Sequence, residues 1–256
     1  MKNMLKAQLD AGKKALGTFT SLGGAVAAES LGLAGLDYFI LDTEHGISDE
    51  NNALLALLGA KSQNITPLIR VKDASRSSIL KMLDLGAMGL VVPFIQSVEE
   101  VVALIGRAKY APVGERGYGL TRSSGFGCAD YAQNTEEYFA LSNRETLLLP
   151  QCETRGCLND IEKIVALNGV DGIFVGPYDL SVSLGVAGQM NHPDLLAAIE
   201  KVLLACKAAG KYSFIFAGTV ESANRYFEMG YDSVTCGVDA MLLIEAAKRM
   251  ISEVRR

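Results

Sequence analysis

Several residue types are scarce in this 256-residue chain, and each scarcity excludes a class of protein. The chain has no tryptophan, and aromatic residues make up 7% of it against 49% for all hydrophobic residues, which predicts a large aliphatic core. Lysine and arginine are dispersed and outnumbered by aspartate and glutamate, 24 to 29. A net charge of −5 without a basic tract argues against nucleic acid or an anionic membrane surface as the partner.

Long apolar runs are also missing. No segment approaches the roughly 18 consecutive apolar residues that a transmembrane helix requires. Residues 1–14 are polar and amphipathic, as in a surface helix, and lack the apolar stretch of a secretion signal. The five cysteines are odd in number and never spaced as CxxC, so we expect buried or free thiols in a reducing compartment and therefore a cytoplasmic protein.

Eight short apolar runs are present, and each is followed by a helical pattern. Most runs are continuous rather than alternating, which is typical of strands buried on both faces of a parallel sheet. Eight β–α pairs with no linker-like segment predict an α/β protein, one (β/α)8 TIM barrel over residues 1–256, with a doubly wound open sheet as the alternative. The runs begin at Ala15, Asp37, Thr66, Met88, Thr146, Gly172, Tyr212 and Ser233.

The helical patterns between the runs carry start and stop signals. Residues 48–63 have Ser48 as the predicted N-cap. A second pattern begins with Asn191 and an early proline and closes with Gly210, a typical order of helix-terminal residues. A further helical segment, residues 238–254, follows the eighth run. We therefore expect an extra helix at each terminus of the barrel.

Two acidic residues follow neighbouring apolar runs at the same point. Glu153 comes just after the core of the fifth run and Asp179 just after that of the sixth, with a helix-length segment between them. In a parallel β–α–β unit both residues lie beyond the strand C-termini, where barrel enzymes hold their catalytic groups. Because hard divalent cations prefer carboxylate oxygens, we expect a magnesium or manganese site there.

Other polar residues end strands at the same side of the barrel. The second run ends in Asp42 and is followed by Glu44 and His45, the third contains Arg70 and the fifth contains Gln151. The chain has only two histidines, and one that follows an acid at a strand end is a candidate base, so we predict that His45 is catalytic. Arg70 is either a routine ion-pair partner, for instance of Glu44, or a fixed positive charge for the reaction.

One long loop interrupts the alternation. Residues 111–133 are rich in glycine, arginine and aromatic residues, and loops of this length in compact domains are usually functional or disordered. The glycines do not directly follow a strand, so they form no dinucleotide-binding fingerprint. Arg116 and Arg122 are candidates for holding a carboxylate or hydroxyls of a substrate; alternatively they bind solvent or neighbouring carboxylates of the protein.

Six motifs, spread over essentially the whole chain, resemble those of the HpcH/HpaI aldolase family. The paired QxE and GPxDLS motifs, about one helix apart, are much more specific together than either is alone. The resemblance implies a class II, metal-dependent aldolase of the pyruvate/phosphoenolpyruvate-dependent barrel superfamily, whose members cleave 2-oxo acids such as 4-hydroxy-2-oxoheptanedioate or 2-dehydro-3-deoxyglucarate. The motifs are LDTEHG from Leu41, LIRV from Leu68, GERG from Gly114, QCET from Gln151, VGPYDLS from Val175 and CGVDAMLL from Cys236.

The resemblance also implies roles for individual residues. The family's metal ligands fall on Glu153 and Asp179, and the ion is magnesium, manganese or cobalt. Its base falls on His45 and its enolate-stabilising arginine on Arg70. Asp42 is a further catalytic candidate from its position at the end of the second run, not from the resemblance. The long loop differs from that of the heptanedioate enzymes, which leaves the aldehyde half of the substrate open. The substrate-binding residues fall on Gln151, Tyr178 and Asp179.

These residue types suit the cleavage of a 4-hydroxy-2-oxo acid to pyruvate and an aldehyde. That reaction requires a base for the 4-hydroxyl proton and positive charge to stabilise the enolate. Lys72 is the nearest lysine for a Schiff-base route, but the paired carboxylates favour a metal. One alternative is a lyase of the same superfamily acting on a malyl- or citramalyl-type CoA thioester, although no concentrated basic patch is present for the nucleotide. The other is a non-catalytic metabolite-binding barrel, which the retention of acid, base and ligand residues disfavours.

Asp84 has an implied role that conflicts with its place in the chain. The resemblance makes it the acid that raises the basicity of His45, yet Asp84 lies between a helix and the fourth strand, at the face opposite the strand C-termini. Family members form hexamers in which subunits exchange their last helix. We therefore expect a homo-oligomer in which Asp84 acts across an interface and residues 238–254 dock on a partner.

Overall fold

The computed structural model describes residues 1–254 and folds them around a closed barrel of eight parallel strands. Each strand pairs with the next one along the chain, and the eighth closes on the first. The predicted TIM barrel is confirmed, and the open doubly wound sheet is excluded. The strands are β1 (Ala15–Thr20), β2 (Tyr38–Asp42), β3 (Thr66–Arg70), β4 (Gly89–Val92), β5 (Leu147–Cys152), β6 (Gly172–Val175), β7 (Tyr212–Ala217) and β8 (Ser233–Val238).

Helices alternate with the strands, and both termini are helical as expected. Among residues 1–254, none of the helices combines the length and the hydrophobicity that a membrane crossing requires. The helices are α1 (Met4–Asp10), α2 (Gly24–Leu33), α3 (Glu50–Gln63), α4 (Arg76–Leu85), α5 (Val98–Ala108), α6 (Thr135–Glu145), α7 (Arg155–Asn159), α8 (Ile161–Ala166), α9 (Pro177–Ser183), α10 (Pro193–Ala209), α11 (Val220–Met229) and α12 (Asp239–Val254).

Side chains along each strand alternate between the barrel interior and the surrounding helices. Ile40 and Leu68 belong to the buried cluster that fills the interior, whereas Leu41 belongs to the larger cluster between strands and helices. Leu5 and Leu9 of α1 join the interior cluster, so the N-terminal helix closes the end of the barrel from which the strands start. The opposite end, at the strand C-termini, has no such apolar cover among the described residues.

The same alternation decides which polar residues share the open end of the barrel. Asp42 lies two residues beyond the interior Ile40, and its register partner in β3 is Arg70, two residues beyond an interior leucine. Gln151 continues the interior series of β5, and Glu153 follows it by two more residues. All four side chains therefore lie above the apolar interior, at the strand C-termini.

Two helix starts differ from the prediction by one residue. Asp49, not Ser48, caps α3 and accepts a hydrogen bond of 2.9 Å from the N–H three residues on. His192, not Asn191, caps α10 through its Nδ1, which gives this second histidine a structural role. In both segments consecutive polar residues are able to cap, and residue type alone does not choose between them. Gly210 ends α10 with a left-handed φ of 63°, as predicted.

Candidate active site

Asp42 and Arg70 form a buried ion pair at the strand C-termini. The guanidinium donates from Nε and Nη2 to the two carboxylate oxygens at 3.0 and 2.7 Å. Burial pushes the pKa of Asp42 up, but the hydrogen bonds and charge of Arg70 outweigh it and hold that pKa below its usual value. Glu44 lies 3.3 Å from Nε, and the guanidinium stacks on Phe19 at 4.7 Å. Two carboxylates and an aromatic face therefore fix Arg70 in one orientation.

Glu153 is a buried carboxylate, 6% exposed, that has no ion-pair partner in the described part of the chain. Its Oε1 accepts a hydrogen bond of 2.6 Å from the N–H of Phe94, and its Oε2 accepts one from Nε2 of Gln151. Burial, joined by the negative charges of Asp179 and Glu44, raises the pKa of Glu153 to about 7. A positive charge brought to this carboxylate would therefore stabilise its ionised form.

Asp179, the second predicted metal ligand, lies exposed in the first turn of α9. The turn from β6 into α9 passes close to β5, because a Cβ added at Gly176 would lie 3.0 Å from both Nε2 of Gln151 and Oε2 of Glu153. Glycine at this position lets the chain bring Asp179 beside Glu153. The two carboxylates, with Glu44 and His45, line one cavity of about 430 Å³, called the cleft below.

His45 stands at the rim of the cleft, with its side chain 69% exposed. Its Nε2 lies 3.7 Å from Oε2 of Glu44, the same oxygen that lies 3.3 Å from Nε of Arg70. The backbone N–H groups of Glu44 and His45 donate to Asp42, which holds this turn against the end of β2. Burial raises the pKa of Glu44, although Arg70 and His45 act in the opposite direction. Glu44 therefore connects the histidine to the arginine.

The donors of the cleft fit a hard divalent cation. Glu153 is buried with a raised pKa, and Asp179 adds a second carboxylate to the same cleft. Oε1 of the neighbouring Gln151 is buried and has no hydrogen-bond partner within residues 1–254. No group of three or more histidine, cysteine, aspartate or glutamate side chains in that range is arranged to hold a metal. Two carboxylates are nevertheless sufficient for magnesium, which completes its shell with water and substrate oxygens.

Asp84 is not brought to the cleft within one chain. It lies half-buried in the last turn of α4, where it accepts a hydrogen bond of 2.8 Å from Nη2 of Arg116. Arg116 is buried and stacks on Tyr110 at 4.5 Å, and Arg122 donates to the carbonyl of Leu85. Arg116 therefore binds a neighbouring carboxylate, as the alternative hypothesis held, whereas Arg122 binds a backbone carbonyl. They fasten the long loop to α4.

Phe94 and Arg155 make contacts at the cleft that the sequence did not predict. Phe94 contributes its backbone N–H to Glu153, and no pattern of residue types reveals a backbone donor. Arg155 follows the QCET motif and lines the cleft, with its guanidinium donating to the carbonyls of Ser183 and Leu184 at 2.6 and 2.8 Å. Its place at the start of the helix that follows β5 was the available signal. Arg155 therefore ties α7 to the end of α9, which carries Asp179.

A closed barrel with charged groups gathered at its strand C-termini defines the class of TIM-barrel enzymes. Within that class, the family model described as HpcH/HpaI aldolase/citrate lyase matches residues 15–246, and the chain belongs to this family. A 5-keto-4-deoxy-D-glucarate aldolase of Enterobacter sp. (strain 638) is 33% identical over 255 residues, which cover 99% of this chain and 97% of that protein.

Solved structures agree with this assignment. An HpcH/HpaI aldolase/citrate lyase family protein from Burkholderia cenocepacia J2315 superposes with a TM-score of 0.91 at 33% identity and covers 100% of both chains. The HpcH/HpaI aldolase of Desulfitobacterium hafniense DCB-2 has a TM-score of 0.91 at 30% identity, covering 99% of this chain and 97% of its own. Full-length likeness to aldolases makes the protein a carbon–carbon lyase.

We predict that Glu153→Gln stabilises the metal-free protein at alkaline pH. Because the pKa of Glu153 is raised from 4.5 to about 7, the folded state binds this proton more tightly than the unfolded chain, and stability is lost as pH rises from 4.5 to 7. The amide does not ionise, so the variant does not lose this stability. Its free energy of unfolding should therefore exceed that of the wild type by roughly 2 kcal/mol more at pH 8 than at pH 5. Urea unfolding of the variant and the wild type, in the presence of a metal chelator at pH 5 and at pH 8, measures the two differences.

The exposed Glu228→Gln is the matched control for the loss of one negative charge. Added manganese should then stabilise the wild type at pH 8 but not Glu153→Gln, because only ligands that bind the folded state raise its stability. A gain for Glu153→Gln that is no larger at pH 8 than at pH 5 would show that burial does not penalise this carboxylate.

Proposed function

We propose that the protein cleaves a 4-hydroxy-2-oxo acid to pyruvate and an aldehyde by retro-aldol chemistry, with a divalent metal ion bound by Glu153 and Asp179. The observation that carries this proposal is the buried, cation-deficient Glu153 beside a second carboxylate in one cleft. The name of the aldolase relative supports the substrate class, since 5-keto-4-deoxy-D-glucarate numbered from its other end is a 4-hydroxy-2-oxo acid.

Magnesium, manganese and cobalt are the ions that we propose for these two carboxylates. When bound, such an ion would polarise the 2-oxo carbonyl as a Lewis acid and favour the enolate. Arg70 adds a fixed positive charge for the same oxygen, already oriented by Asp42 and therefore needing no reorganisation. We assign the substrate carboxylate to Gln151 and to the main chain at Tyr178 and Asp179.

His45 is the base that we propose for the 4-hydroxyl proton. Imidazole is the side chain that most often accepts and returns a proton in general acid–base catalysis. Glu44, with Oε2 3.7 Å from Nε2 of His45, favours the imidazolium that forms. His45 is exposed at the rim of the cleft, and this position suits a base for the 4-hydroxyl group, because the aldehyde that forms from this half of the substrate must leave toward solvent.

A lyase acting on a CoA thioester is the second candidate, since the family model includes citrate lyases. A nucleotide would require several cationic groups near the cleft. Arg155 is the one lysine or arginine among the described residues that line the cleft, and two carbonyls already occupy its guanidinium. Lys72 and Arg107 line an adjoining cavity, but three acidic side chains line it with them. We therefore prefer the free 2-oxo acid. A non-catalytic barrel would not need a buried carboxylate of raised pKa.

Metal dependence is the first prediction of this proposal. Chelator should abolish pyruvate release from a synthetic 4-hydroxy-2-oxo acid, and magnesium, manganese or cobalt should restore it. Glu153→Ala should stay inactive with each metal, because one ligand is gone, whereas the exposed Glu228→Ala should behave as wild type. Full activity of Glu153→Ala in chelator, or a borohydride-trapped pyruvate adduct on a lysine such as Lys72, would contradict the metal route.

The second prediction separates His45 and Arg70 from the metal site. His45→Ala should lower turnover by roughly 10²–10⁴, the usual effect of general-base catalysis, while manganese affinity stays unchanged. Arg70→Lys should also be slow, since an ammonium does not reproduce the two-pronged contact with Asp42. His192→Ala, at the start of α10, is the matched control. Near-normal turnover of either site variant between pH 6 and 9 would refute its role.

We also infer that the protein is a homo-oligomer, a hexamer by family resemblance. Asp239 is the only buried residue of α12, and the rest of that helix exposes apolar side chains. A helix with so little contact to its own subunit fits docking on a second copy of the chain. Assembly would let Asp84 reach a neighbour's site. The exposed side chains include Met241, Leu242, Leu243, Ile244, Met250 and Ile251.

Light scattering tests this inference. We expect a mass several times that of the 27.3 kDa chain, reduced when Leu243 and Ile251 are both replaced by aspartate. Asp84→Asn should lower turnover without lowering manganese affinity. This reduction in turnover should remain even when the variant assembles like the wild type. A fully active monomer, or wild-type turnover for Asp84→Asn, would rule out a site completed across an interface.

A further inference from the structure

Phe94 adopts a backbone conformation that its side chain disfavours. Its φ is 57°, in the left-handed region, which is unfavourable for a residue with a bulky side chain. Asn64 has a φ of 56° but lies at the C-terminal end of α3, where a left-handed residue is common. Phe94 is instead 68% exposed just after β4, outside the hydrophobic clusters of the described residues. Neither helix capping nor core packing accounts for it.

The backbone of Phe94 serves the proposed metal ligand. Its N–H donates to Oε1 of Glu153 at 2.6 Å, while Gln151 donates to the other oxygen. Hydrogen bonds to an ionised group are short and strong, so this contact fixes the rotation of the carboxylate. Strained backbone that persists beside a buried functional group is typical of a site whose geometry is held at a cost in stability.

Phe94 borders two cavities. Phe94 lines the cleft of about 430 Å³ and also a second cavity of about 490 Å³ between the β3–α4 connection and α5. Among the described residues, only Phe94 and Glu44 line both. The second cavity carries charged side chains of both signs, among them Lys72, Asp73 and Arg107, which suit hydroxyl groups rather than an apolar chain.

We propose that Phe94 is both the positioning residue of Glu153 and the wall that limits the aldehyde half of the substrate. Its N–H orients the carboxylate, and its ring closes the passage from the cleft to the second cavity. The wild type therefore accepts short aldehydes in the cleft. Once the ring is removed, the second cavity accepts the rest of a longer, hydroxylated aldehyde. The wall rests on the proposed aldolase activity, whereas the positioning of Glu153 rests on the proposed metal site and not on that activity.

Phe94→Ala tests the wall, because it removes the ring and keeps the N–H. In the synthetic direction with pyruvate, the ratio of kcat/KM for erythrose to that for glycolaldehyde should rise about tenfold or more, the scale of a lost pocket contact. Phe126→Ala is the matched control, since Phe126 is 65% exposed with φ 56° but lies in the long loop. An unchanged ratio for Phe94→Ala, whether or not light scattering shows altered assembly, would contradict the proposal that the ring limits the length of the aldehyde.

Manganese affinity and thermal unfolding test the positioning role independently of any aldolase activity. Replacing Phe94 by its α-hydroxy acid, which exchanges the N–H for an ester oxygen, should weaken manganese binding about tenfold or more, whereas Phe94→Ala should stay within about twofold. Phe94→Gly should unfold at a higher temperature than Phe94→Ala, the reverse of the usual order, because glycine accepts a positive φ. Unchanged affinity in the ester variant overturns the positioning role.

If no aldehyde is processed by the wild type, the proposed function fails while the affinity and unfolding results still decide the role of the N–H. If the aldehydes are processed and Phe94→Ala leaves their ratio unchanged, only the wall fails. The two failures are therefore distinguishable in the same set of variants.

Discussion

The site depends on one buried carboxylate, that of Glu153, which has no cationic side chain paired with it among the described residues. Asp42 and Glu153 are both buried at the strand C-termini, but Arg70 compensates the first and hydrogen bonds alone hold the second. An uncompensated buried carboxylate is costly, which the pKa of about 7 for Glu153 reflects. A protein that keeps such a group gives up stability for a ligand, and we propose that the ligand is a divalent cation.

The barrel supplies the precision that this arrangement needs. Alternation along parallel strands sends Arg70 and Gln151 to the same side of the sheet as the apolar interior, so both stand on a close-packed base. The polar residues of the site come from different strands and loops. Each lies within a few residues of a strand end, where hydrogen bonds to the neighbouring strands fix the backbone. Glycine at Gly176 then allows the sixth connection to pass beside the fifth. Rigid strands position the donors, and the loops between them define the cavities.

The sequence predicted the strands, the closure of the barrel and the edge at which Asp42, Arg70 and Glu153 meet, because all three follow from periodicity and strand direction. It did not predict Phe94, since its contribution is a backbone N–H and a left-handed φ rather than a residue type. The partner of Asp84 was also missed, because Arg116 reaches it from a loop whose path no local pattern specifies.

The most direct test of the central claim is a crystal structure of the wild-type protein with manganese and pyruvate. Anomalous scattering should locate one ion bonded to carboxylate oxygens of Glu153 and Asp179, with pyruvate oxygens completing its shell beside Arg70. An ion held elsewhere, with Glu153 still bonded only to Phe94 and Gln151, would contradict it. So would pyruvate joined covalently to a lysine.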